Sequence, residues 1–145
     1  MNNEYLRHTL ATINYRFQKS VRNAEDSFGG FSLGKGSRST NEIIHHMYDV
    51  LSATRFFIER EQRKKGTPER LSLTLEIERF IAELKTLDKT LSDKELGIDY
   101  SKRLLQGPFS DILTHIGQIS MLQRLNDGPI EREDFSSVDI KTGVL

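Results

Sequence analysis

LTLEIERFIAELKTLDKTL, residues 73–91, carries the periodicity that decides the fold. Within it Leu73, Ile77, Phe80, Leu84, Leu87 and Leu91 alternate spacings of four and three. Each residue of an α-helix advances about 100°, so these side chains share one face. A heptad-like apolar stripe of this kind suits packing within a helical bundle. The helix start is bracketed between Pro68 and Glu76: Thr67-Pro68-Glu69 resembles a first turn, and Thr74 is an equally good cap.

Upstream, Leu6, Leu10, Ile13, Phe17 and Val21 mark a first helix over about 3–23. Asp26 to Ser39 (DSFGGFSLGKGSRS) is a glycine-rich loop. A second helix is expected from Ser39 or Thr40, with Glu42 in its first turn. Its broad stripe comprises Ile43, Met47, Val50, Thr54 and Phe57, with Ile44, Leu51 and Ile58 alongside, and it ends in the basic run Arg60 to Lys65. Downstream, Asp93 to Gln106 reads as a polar connection. Pro108 then opens a fourth helix that continues to about Asn126 and is stopped by Asp127-Gly128-Pro129. The last seventeen residues read as an irregular tail, packed on the bundle through Ile130, Phe135 and Ile140. The expected fold is a single all-α domain over 1–145, an antiparallel four-helix bundle with a long first loop.

Composition excludes several classes of function. With no cysteine among 145 residues, disulfides, thiolate zinc sites and a cysteine nucleophile are ruled out. Lys plus Arg and Asp plus Glu number 21 each, so the basic surplus that offsets duplex phosphates is missing and nucleic acid is not an expected partner. The basic run at 60–65 is accounted for by cations at a helix C-terminus. The first twenty residues, with Glu4, Arg7 and His8, do not resemble a signal peptide, and no window matches the roughly 20 apolar residues of a membrane span. A cytoplasmic protein that does not engage a membrane is expected. No Gly-x-Ser-x-Gly elbow is found, and Glu131 and Glu133 read as solvated tail carboxylates.

Two helices place polar residues on apolar faces. On the second, His46 lies near Ile43, Val50, Ala53 and Phe57 and is read as inward. His45, among Asn41, Tyr48, Asp49 and Ser52, is read as outward, and His8 as a surface residue. On the fourth, Asp111, His115, Gln118 and Leu122 fall on one line flanked by Ile112, Ile119 and Leu125. Buried without partners, a carboxylate and an imidazole would cost several kcal/mol. A divalent metal is one partner, since imidazole and carboxylate together suit zinc, nickel, manganese or iron. Spacing alone leaves other accounts open. His46 is then a hydrogen-bonded core histidine, Asp111 and His115 are an ion pair across one turn, or Asp111 complements a helix N-terminus.

The stretches NEIIHHMYDVLSATRFF (41–57), LLQGPFSDILTHIGQISMLQRLNDGPI (104–130) and TLATINYRFQKSVRNAEDSFGGF (9–31) resemble the DinB-like superfamily, which includes the YfiT-like metal-dependent hydrolases. The likeness is most specific at His115-Ile116-Gly117-Gln118 and weakest around 93–102. The resemblance implies a four-helix bundle, often a homodimer, with a divalent ion on one histidine of the second helix and two ligands four residues apart on the last. Those positions fall on His46, Asp111 and His115. Asp111 departs from the histidine that many members carry, which changes the charge and softness of the site. The implied activities are hydrolysis or transfer and isomerisation with a low-molecular-weight thiol, acting on a small molecule. In that setting Gln118 would orient His115 or a bound ligand, Asp49 would accept the His46 ring N–H, and the loop from Phe28 to Gly36 would shape the entrance. The competing expectation is a catalytically silent bundle that binds a small ligand or a protein partner.

Overall fold

The computed structural model describes residues 3–61 and 68–145, and every described element is helical. The long helices are α1 (Glu4–Val21), α2 (Thr40–Glu59), α3 (Leu73–Asp93) and α5 (Ser110–Leu125). A short α4 (Ile98–Leu104) precedes α5. The five stripe residues of α1 are all buried, as are Leu73, Phe80, Leu84, Leu87 and Leu91 of α3. Phe17 and Phe80 meet edge to face at 4.7 Å, joining α1 to α3.

Local chemistry sets the helix ends. The Glu42 N–H donates to Ser39 Oγ and the Ser39 N–H donates to Glu42 Oε1, a reciprocal capping box that starts α2. Arg60, with φ 57°, turns the chain out of α2. Residues 62–67, with most of the basic run and Thr67 of the proposed helix start, lie outside the described residues. Pro68 and Glu69 are not helical, and α3 begins at Leu73 within the expected bracket.

Ion pairs reveal the helix directions. Arg7 of α1 pairs with Asp88 near the far end of α3, and the Asn3 amide donates to the Leu91 and Lys94 carbonyls, so these helices run antiparallel. His45, Arg55 and Glu59 of α2 meet Glu76, Glu83 and Thr90 of α3 in ascending order, so α2 and α3 run parallel. Helix α5 packs against α1 and α2. The bundle is therefore antiparallel across some of its contacts and parallel across others.

Three expectations need correction here. Residues 93–106 are not merely a polar connection: α4 occupies part of them and runs through a π turn, Leu105–Phe109, directly into α5. Pro108 sits inside that turn rather than at a helix start. The wider turn accommodates a residue without an N–H, and the Ser110 hydroxyl caps the Leu105 carbonyl. Phe57 is 72% exposed and lies beside Tyr100, so the buried face of α2 is centred on Ile44, Met47 and Leu51.

The tail is the third. Ile130, Phe135 and Ile140 are half-buried, and Arg16 stacks 4.0 Å from the Phe135 ring centroid. Glu133 is not a free carboxylate: it accepts from the Tyr15 hydroxyl at 2.7 Å and from Lys19 at 3.1 Å. His8 is likewise half-buried, with Nδ1 3.0 Å from Thr142 Oγ1 of the tail. Among the described residues no helix is long and apolar enough to cross a membrane.

Candidate metal centre

Helices α2 and α5 bring His46, Asp111 and His115 together. His46 Nε2 lies 3.3 Å from Asp111 Oδ2, and His115 Nε2 lies 3.4 Å from the same oxygen. One ligating atom from each residue falls within 4.8 Å of the other two. The imidazole rings meet edge to face, with centroids 4.9 Å apart.

The environment is graded across the three residues. His115 is buried, the His46 side chain is 31% exposed and that of Asp111 is 44% exposed. Asp111 therefore stands at the rim of the helix face rather than inside it. It has no free helix N-terminus to complement either, because helical backbone continues unbroken from Ile98. Direct charge-assisted hydrogen bonds run about 2.7–2.9 Å, shorter than the two separations seen here. Ligand atoms bonded at about 2.1 Å to one tetrahedral ion stand about 3.4 Å apart.

Gln118 fixes the chemistry of His115. Its Oε1 lies 2.9 Å from His115 Nδ1 and, being a pure acceptor, places the ring proton on that nitrogen. In the neutral ring Nε2 then presents a lone pair to Asp111 Oδ2. Two acceptors so placed, 3.4 Å apart, suit a metal ion between them, whereas the other ring tautomer, with the Gln118 amide turned to donate, satisfies both contacts without one. The donor set thus fits a borderline divalent metal, and the Gln118 contact is the orienting partner that metal-bound histidines commonly have. Asp49 lies half-buried on α2, three residues after His46.

His45 is the opposite of its expected placement. It is buried on the side of α2 facing α3, with Nδ1 3.3 Å from Glu76 Oε1 and 3.0 Å from Arg79 Nη2. Glu76, only 1% exposed, also accepts from Arg79 and from the Leu71 N–H. A bundle helix buries two flanks, so adjacent histidines face different neighbours: His45 meets α3 and His46 meets α5.

A cleft of about 730 Å³ opens beside His115 and Gln118. Of the glycine-rich loop only the later part, Leu33 and 36–38, reaches it; Phe28 and Gly29 are buried and do not line it. Arg38, Thr114, Gly117 and Met121 also line it, and the sequence reading missed all of them. The available signal was the run Thr114, Gly117, Gln118, Met121, spaced along the α5 face adjoining His115. No protein-family model, no curated protein and no solved structure matches the chain.

Proposed function

We propose that the chain is a divalent-metal-dependent enzyme of the DinB-like type, acting on a small molecule by hydrolysis or by thiol transfer. One observation carries the reading: two imidazole Nε2 atoms, on different helices, converge on a single carboxylate oxygen at 3.3 and 3.4 Å. His46, Asp111 and His115 would hold the ion, with zinc or nickel best suited to this donor set and manganese or iron also compatible. A divalent ion so held supplies a lowered pKa to a water or thiol, making a nucleophile at neutral pH. The chain's own residues do the rest. Gln118 keeps the His115 proton on Nδ1 and so leaves Nε2 free to ligate. The cleft beside His115 would receive the substrate, and its apolar wall residues would limit bulk water around it.

A specific observation also favours the silent bundle. Asp111 reaches both histidines, so one protonated imidazole would satisfy the carboxylate without any metal. Metal content separates the two readings. The untagged protein, purified without chelator and then incubated with zinc, nickel, manganese or iron(II), is expected to retain about one ion per chain by mass spectrometry. His46→Ala and His115→Ala should abolish that uptake while circular dichroism stays helical. Substoichiometric metal after every incubation sinks the enzyme reading and leaves the bundle.

A further inference from the structure

We infer that the cleft beside His115 takes a small amphipathic anion, an apolar body carrying a carboxylate-like group that pairs with Arg38. Its walls are largely apolar, with Leu33, Ile43, Met121 and Leu122 among them. Leu33 and Met121 leave much of their surface uncovered at its rim, 55% and 60% exposed. Arg38 is the Lys, Arg, Asp or Glu residue of the lining; it is exposed and makes no ion pair or hydrogen bond with another described residue. A solvated guanidinium at the edge of apolar walls, free of any protein partner, suits a ligand with the matching division of character.

Gly117 supplies an independent argument. A glycine in a helix interior is less stable than alanine, so packing usually has to require it. Here a Cβ at position 117 would meet no heavy atom within 4 Å. The chain leaves that volume empty although nothing of its own needs it, and Gly117 lines the cleft between Thr114 and Gln118. Gly117 is exposed, and a ligand in the cleft would lie against its bare backbone. Gly117 also borders a groove on the α1 side of α5. The anionic end would sit toward Arg38 and the reacting end toward His115. Only this last orientation rests on the metal reading.

The test uses 4-phenylbutyrate and its neutral amide as probes, titrated into the full chain by calorimetry, once metal-free and once after zinc loading. The carboxylate is expected to bind at least tenfold more tightly than the amide in the metal-free protein. Arg38→Ala should remove that difference and leave the amide unchanged. Gly117→Ala should weaken both probes at least tenfold while the melting temperature holds or rises. Equal binding of the two probes, no binding of either, or a Gly117→Ala protein that binds like the parent would each overturn the proposal. The metal-free arm makes the outcome independent of the zinc result. A chain that discriminates through Arg38 yet takes up no metal refutes the enzyme and keeps the ligand class.

Discussion

Gln118 touches His115 through the ring nitrogen that faces away from Asp111, and this is the contact on which metal affinity should turn. Losing such an orienting acceptor typically weakens a metal site 10–100-fold. Gln118→Ala should therefore reduce zinc affinity by roughly that factor in a dye-competition titration, with little change in melting temperature because Gln118 is exposed. Gln118→Glu, which keeps an acceptor in place, should restore most of it. If the alanine variant bound zinc like the parent, Gln118 would be a bystander. At this scale the sequence was informative for the line Asp111, His115, Gln118, because spacings of four and three have one meaning on a helix. It was uninformative for His45. Its partners Glu76 and Arg79 come from α3, more than thirty residues away, and a single apolar stripe does not reveal a second buried flank.

Among elements, α1, α2 and α3 were legible because their signals are local: a capping box at Ser39 and Glu42, and apolar spacings that needed no partner to interpret. Helix α4 was hidden for a physical reason. Proline inside a helix normally ends it, and here the π turn at Leu105–Phe109 absorbs Pro108. The tail was half legible, since Phe135 could be read as packing but the grip of Glu133 on α1 could not. That grip has a pH window. Bonds from the Tyr15 hydroxyl and Lys19 hold the Glu133 carboxyl below its ordinary value of 4.5, so its contribution is present above 4.5 and is lost as pH falls through the lower folded value. The bond to Glu133 raises Tyr15 above its ordinary 10.0, so that contribution is present below 10.0 and is lost as pH rises beyond the folded value. Amide protection factors at residues 133–140, each taken against the unfolded chain at the same pH, should accordingly be highest between those limits and fall on both sides while α3 remains protected. A tail equally protected at pH 3 and pH 7 would show that Glu133 does not anchor it.

For the whole molecule, the shared oxygen of Asp111 has a consequence that neither helix shows alone. Asp111 and His115 sit one turn apart on α5, and an ion held by that pair only would stabilise the fold without calling on α2. An ion that also takes His46 ties α2 to α5, helices joined in sequence only through α3 and α4. Binding to the folded state alone stabilises by about 2.7 kcal/mol at a free metal concentration a hundred times the Kd. For a chain of this size that is a rise in Tm on the order of 5–10 °C. Zinc at that excess should produce this rise by calorimetry, and a chelator should reverse it. The decisive comparison is His46→Ala. If the ion bridges the helices, the variant keeps its fold and loses the zinc-dependent rise. If the rise survives, the ion belongs to α5 alone, and the convergence of α2 on Asp111 is only a hydrogen bond across the bundle.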